Sequence, residues 1–418
     1  MQPMQPDQHN ADHQHPGQQS PAPGDWQVTE VPRPYHDAFP KDQRPRLRPA
    51  WDVFTWTYIL LTLGGLALAA FVMIGYLVFP GPAVIALSLG IGAVYLALVW
   101  FGMSRLLIYR GTPMLLAFAA IVWGGTGALL IGVSPTAGHL MELAHDFGVP
   151  EISMSLGGAY TEELAKGLGV WLLLQIGRTW WNRPWHGLVA GMLVGLGFEV
   201  FENVMYAAML AVIHPASDVS GVLDIWIMRT VFGPFMHVIF SGLVGYGIGV
   251  AVFGRGLSRT RRLGWILCCG FAGFFFHACW NLIMDSVAAQ LTVYAVSWSA
   301  AAALLVTAIV RSTREARPAA RVGAYPVVSI YRKVPEPLPI GHLPGLPGQP
   351  AQQGWQGQPA QQSWQAAPPQ PQAGHLPESF GRPHRDAHPP ERPTTWPSER
   401  PTTWRSENPN DPEEFGPR

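Results

Sequence analysis

The stretch Gly157-Gly158-Ala159-Tyr160-Thr161-Glu162-Glu163-Leu164-Ala165-Lys166-Gly167 sets two adjacent carboxylates and a lysine at the head of an apolar run, Leu168–Ile176. That run is hydrophobic enough to lie in lipid, where one charged side chain at mid-bilayer costs roughly 2.5–3.5 kcal/mol on insertion scales. An adjacent pair at that cost marks a polar site. The next apolar stretch carries a second acidic cluster, Gly197-Phe198-Glu199-Val200-Phe201-Glu202-Asn203-Val204-Met205-Tyr206, and the two after it carry one deep histidine each, His237 and His277. Ionisable groups on four neighbouring spans indicate an active site inside a membrane.

Outward from this stretch, the 418 residues are 48% hydrophobic and only 13% charged, against about 25% charged for a soluble chain. Residues 1–50 and 312–418 are rich in Pro, Gln, His and Arg, whereas 51–311 is almost continuously apolar. A helix needs about 20 apolar residues to cross a bilayer. That ruler marks eight candidate spans, near 54–79, 82–101, 112–133, 154–177, 186–212, 232–254, 263–285 and 289–311. Ala137–Phe147 is too short and polar to span and is expected in an extracytoplasmic loop or interfacial turn. The expected fold is therefore all-α: a polytopic membrane helix bundle of about eight transmembrane helices, residues 51–311, between disordered cytoplasmic tails at 1–50 and 312–418.

Arginines set the orientation, because Lys and Arg accumulate on the cytoplasmic side. Arg44, Arg46 and Arg48 precede the first span, Arg105 and Arg110 follow the second, and Arg178 and Arg183 the fourth. Arg255, Arg259, Arg261 and Arg262 follow the sixth, and Arg311, Arg314 and Arg317 the eighth, while the alternate loops are uncharged or acidic. Both termini are expected in the cytoplasm of a multi-pass cell-membrane protein. The first apolar run begins near Trp51, later than a signal peptide's apolar region would, so none is expected. Cys268, Cys269 and Cys279 share one apolar span without metal-ligand spacing and are expected to be inert. The formal charge is zero, and no basic patch with interleaved aromatics points to nucleic acid. The C-terminal tail repeats short Pro/Gln/Trp-rich segments (Pro350–Gln356 and Pro359–Gln365) that lack the aliphatic surface for a core. They read as a solvated spacer.

Depth links the ionisable residues. At about 1.5 Å rise per residue, Glu162 lies about 12 Å below the outer end of its span, Glu202 about 15 Å, His237 about 8 Å and His277 about 12 Å. Spans that alternate in direction have no reason to share a level by chance. Glu162 and Lys166 are four apart and lie on one helix face. Glu199, Glu202, Asn203 and Tyr206 form one polar stripe, and His277 and Asn281 are again four apart. Gly233, Gly242, Gly245 and Gly249 around His237 permit close helix approach.

Hydrolysis suits this set. A carboxylate beside a second acid or a histidine can accept a proton from water, and a His–Asn pair can donate to an oxyanion. Alternatively two histidines and a glutamate, His237, His277 and Glu202, hold a divalent metal such as zinc with one position open for water. No His-Glu-x-x-His motif is present, and metal-assisted and metal-free hydrolysis both remain open. So do a proton-coupled transporter using the same groups and a non-catalytic scaffold recruiting partners through its tail.

With these residues in view, the chain resembles the PrsW intramembrane proteases, within the glutamate-dependent membrane proteases that include the CAAX prenyl endopeptidases. Glu162, Glu163 and Lys166 match the first motif, Glu-Glu-x-x-Lys. Phe198, Phe201, Glu202, Asn203 and Tyr206 match the second, His237 with Arg229 upstream the third, and His277 and Asn281 the fourth. The likeness covers about 160–285. Glu199 is an additional acid, and Asn281 stands where many relatives carry Asp, which suits hydrogen-bond donation better than metal ligation. The resemblance implies peptide-bond hydrolysis in or near the bilayer, with membrane proteins as substrates, in the founding case an anti-sigma factor. Expected roles are water activation by Glu162 and Glu202, support from Glu163, a ligand or proton shuttle in His237, and stabilisation of the tetrahedral intermediate by His277 and Asn281. Lys166 is the expected charge partner, and Asn203 and Tyr206 orient Glu202.

Overall fold

The structure, a computed structural model, describes residues 26–33 and 52–333. The expected disorder of the rest of both tails, and the Pro/Gln/Trp-rich repeats, lie outside the described residues.

The Asp52 carboxylate accepts from the Thr55 amide and starts helix α1 (Val53–Val78). Helix α2 (Pro82–Ser104) opens on a proline, whose missing N–H is no loss in a first turn. Next come α3 (Met114–Gly125) and α4 (Gly127–Gly132), one apolar run bent at Thr126, whose hydroxyl bonds back to the Val122 carbonyl. The short α5 (Pro135–Asp146) precedes a π-helical turn at Ser155–Tyr160 that runs into α6 (Thr161–Ile176). Then follow α7 (Pro184–Ala211), α8 (Asp218–Phe232), α9 (Met236–Phe253), α10 (Arg259–Asn281) and α11 (Val287–Arg321). Strands β1 (Trp26–Pro32) and β2 (Val327–Lys333) pair antiparallel, Trp26 opposite Lys333 and Pro32 opposite Val327.

Seven helices are long and apolar enough to cross a membrane, and they coincide with seven of the eight expected spans to within a few residues at most ends. The remaining one, expected at 154–177, is interrupted by the π turn and carries Glu162, Glu163 and Lys166, so length and composition alone do not qualify it. The number of crossings is nonetheless even, because β1 and β2 meet. An odd number would put them on opposite faces. The same face gathers the loops that follow α2, α6 and α9. Arg33 donates to the Gly111 carbonyl at 3.3 Å, the Tyr325 hydroxyl to Ile108 at 3.1 Å, and the Asn182 amide to the Val327 carbonyl and Ser329 hydroxyl at 2.9 Å each. Glu30 takes Arg183 at 2.7 Å and Arg255 at 3.0 Å. The hydrogen bond from Arg183 is the chief reason that the Glu30 carboxyl sits below the ordinary carboxylate range. The tie therefore holds at neutral pH and loosens as pH falls through that lowered value. The π turn and α6 add up to six and sixteen residues, about 33 Å at helical rise, enough for a core of about 30 Å. They supply the eighth crossing.

Two expected boundaries move. Helix α11 runs ten residues beyond 311, to Arg321, and residues 26–32 and 327–333, expected within unstructured tails, form the sheet. The apolar, mostly β-branched residues of Val327-Val328-Ser329-Ile330 explain it, since Val328 and Ile330 are buried against the bundle.

Helices α1 and α10 face mostly outward, whereas α7 and α9 are enclosed by the others, as helices apolar on all sides require. Their backbones touch. A Cβ on Gly187, Gly191 or Gly195 of α7 would stand 2.2, 2.1 or 2.0 Å from the carbonyl oxygens of Gly245, Ser241 and His237. From α9, Gly245 and Gly249 press on α7 in return, while Gly242 faces Leu305 and Gly233 faces Trp280. On its other side α7 meets α3, where a Cβ on Gly197 would lie 1.9 Å from the Ile121 carbonyl. The same reporter domain fused to either end of the chain should be protected, or exposed, from the same side of the membrane. Signals from opposite sides would refute the even count.

Candidate active site

The π turn delivers Glu162 and Glu163 into the first turn of α6. One turn on, Lys166 is fully buried. Its ammonium has three hydrogens, and three acceptors surround it: Glu163 Oε1 at 2.8 Å, His237 Nδ1 at 3.0 Å and Glu162 Oε2 at 3.3 Å. It also lies 3.9 Å from the centroid of the Phe198 ring, a cation–π contact. Lys166 is thus the electrostatic centre of the cluster.

The partners assign the histidine tautomers. Glu163 can only accept, so His277 Nδ1–H donates to it at 3.0 Å, and His277 Nε2 lies 3.7 Å from Glu162 Oε2. His237 Nδ1 accepts from Lys166, so its Nε2–H donates to Glu202 Oε2 at 2.9 Å. Ser241, one turn along α9, donates to Glu163 Oε2 at 3.2 Å. The two rings stand edge to face with centroids 4.9 Å apart.

Glu202 is further held by Arg229 of α8, which also binds the Asn203 side-chain oxygen and lies 4.5 Å from the Tyr206 ring centroid. The expected orientation of Glu202 by Asn203 and Tyr206 therefore runs through Arg229. Glu199 does something else. Helix α9 has no side-chain cap of its own, and Phe235 before it is in the left-handed region, φ 60°. The Glu199 carboxylate, reaching over from α7, accepts from the His237 amide at 3.1 Å and contacts the Val238 amide at 3.5 Å. Its other oxygen takes the Tyr95 hydroxyl of α2 at 2.5 Å. One helix caps another, and the capped residue is His237.

Two acids face a cavity of about 160 Å³: Glu162 and Glu202. Its walls are Leu129, Gly132 and Val133 on one side and Phe201, Met205 and Tyr206 on the other. Glu163, Lys166, His237 and His277 sit behind them, buried. By helical rise, Glu199 and Glu202 are about 22 and 27 Å into α7, and His277 about 27 Å into α10, so the site lies toward the face opposite the sheet.

The expected metal set was His237, His277 and Glu202. The structure instead groups Glu162 with the two histidines, each offering one ligand atom and all within 4.8 Å of one another. Glu202 falls outside that set and is held by Arg229 and His237 Nε2. Two imidazoles and a carboxylate suit zinc, and the Glu163–His277 contact orients its ligand in the way that carboxylate partners of metal-bound histidines do. The residues fit such an ion once His237 gives up its contact with Lys166 or with Glu202, since both of its ring nitrogens are otherwise taken. The Asn281 amide donates to the Met154 carbonyl at 3.3 Å, bracing the approach to the π turn.

The arrangement of acids, lysine and paired histidines on four packed helices invites comparison with known proteins. Residues 112–310 match the family model of the PrsW intramembrane metalloproteases. No curated protein and no solved structure matches the chain significantly. The PrsW segment contains every motif residue named above and extends well past the 160–285 of the motifs, and the chain is a multi-pass membrane protein. Tyr95 lies outside the PrsW segment, and a lone tyrosine in an apolar run gives no hint of its partner. Ser241 had a signal, four residues after His237. Gly187, Gly191 and Gly195 had a clearer one, a small residue every fourth position.

Lys166→Met, which takes the ammonium from the buried Glu163 and the half-buried Glu162, should destabilise the protein by about 3–5 kcal/mol, measurable by thermal unfolding in detergent. Tyr95→Phe leaves one carboxylate oxygen of Glu199 without its donor and should cost about 1–3 kcal/mol in the same assay. Unchanged unfolding of either variant would contradict the pairing described.

Proposed function

We propose that this protein is an endopeptidase that cuts membrane-protein substrates at the cavity between α4, α6 and α7. What supports this most is the division of the polar groups, with Glu162 and Glu202 lining the cavity and their partners packed behind. Glu202, steadied by Arg229 and His237, takes a proton from water as its oxygen attacks the scissile carbonyl carbon. The same carboxyl then returns the proton to the departing amine nitrogen when the carbon–nitrogen bond breaks. Tyr206, on the cavity wall, supplies a hydroxyl to the developing oxyanion. Lys166 holds Glu162 and Glu163 in place, and Glu199 fixes His237. A divalent cation of the zinc class, held by Glu162, His237 and His277, would polarise the carbonyl and ease deprotonation of water.

The arginine-rich face that carries the sheet is the cytoplasmic side by the charge rule. Both termini are then cytoplasmic, and the cavity opens near the extracytoplasmic face of the cell membrane. A regulatory membrane protein of the anti-sigma-factor kind is a substrate that such a depth suits. The family match favours hydrolysis over the transporter and scaffold readings.

Glu162→Gln should insert normally and lower cleavage by about 10²-fold or more. Purified wild type and variant in proteoliposomes, given a library of single-pass membrane segments and read by mass spectrometry, test this. Products at equal yield from both would remove Glu162 from the mechanism.

A further inference from the structure

The cavity also has a size. Its polar end is set by Glu162, Glu202 and the Tyr206 hydroxyl and the rest is apolar, formed by Leu129, Gly132 and Val133 of α4 and its edge and by Phe198, Phe201 and Met205 of α7. If the scissile carbonyl sits at the two acids, the side chain of a residue flanking the scissile bond enters the apolar end. A dry apolar cavity of about 150 Å³ holds one benzene, and a water needs about 10–15 Å³ of the same kind of volume. This one, at about 160 Å³, must hold the attacking water and the carbonyl group as well. What is left is too small for a phenyl ring and enough for a short aliphatic chain. A Cβ on Gly132 would already stand 3.2 Å from the Glu162 Cγ, so this glycine leaves the carboxylate its place. Nor is a charged side chain served, since Glu162 is taken up by Lys166 and Glu202 by Arg229.

We infer that the cavity is a specificity pocket for an uncharged aliphatic side chain no larger than leucine, next to the scissile bond, with Phe201 and Met205 as its size-limiting wall. The inference rests on the hydrolytic reading above and adds the substrate's chemistry to it.

The test uses the full chain in proteoliposomes and a single-pass segment whose cleavage site has been mapped with wild type. Each of the two residues flanking that bond is replaced in turn by Ala, Val, Leu, Phe, Trp and Lys, and initial rates are compared. At one of the two positions Ala, Val and Leu should be cut at comparable rates, and Phe, Trp and Lys at least about tenfold more slowly. Phe201→Ala, and separately Met205→Ala, should raise the rate for Phe relative to Leu at that position. The ratio of two substrates within one variant is read, so a loss of folded protein cancels. Cleavage by wild type without regard to side-chain size at both positions would overturn the inference while leaving the protease reading standing. So would a Phe-to-Leu ratio that neither variant changes. No cleavage of any segment would overturn both.

Discussion

Helices α7 and α9 meet backbone to backbone, and the site depends on that contact. With Cβ atoms on Gly187, Gly191 and Gly195 the two helices would be held apart, and every reach between them would lengthen. Glu199 would no longer touch the His237 amide, nor Glu202 the His237 ring. In lipid no hydrophobic force drives helices together, so shape and polar contacts decide their spacing. Here the glycines provide the shape and the acids of α7 the polar contacts. Neither accounts for the geometry alone.

The second requirement is that buried charge be answered locally. Glu162, Glu163, Glu199 and Glu202 are drawn from two helices, and Lys166 and Arg229 from two, with the imidazoles between them. Three acceptors for three ammonium hydrogens at Lys166 leave that residue no freedom to take part in anything else. The acids differ accordingly. Glu163 is enclosed by Lys166, His277 and Ser241, and Glu199 by Tyr95 and the α9 amides, whereas Glu162 and Glu202 keep a side toward the cavity.

Much of this was legible in the chain. Apolar length and arginine asymmetry located the helices, and the i, i+4 spacing of Glu162 and Lys166 foretold their contact. What stayed hidden has physical reasons. Glu199 and Glu202 are three apart on one stripe, so periodicity cannot show that one caps α9 and the other faces a cavity. Asn281 shares a face with His277 but bonds to Met154, because helical spacing fixes direction and not the neighbour that is met. The terminal strands escaped notice since a seven-residue segment has little pattern of its own and acquires its structure from a partner about three hundred residues away.

That pairing of β1 with β2 has a bearing on biogenesis. The first strand leaves the ribosome before any of the helices, and its partner only after the last of them. The sheet is therefore a clasp that shuts once every intervening span has been threaded, and Glu30, Arg183 and Asn182 acquire their full set of partners only then. A chain stalled or truncated short of Val327 would leave the clasp open, with the loops after α2, α6 and α9 untied from one another. Threading of the last span is thus written into the bundle as a mechanical event on one of its faces.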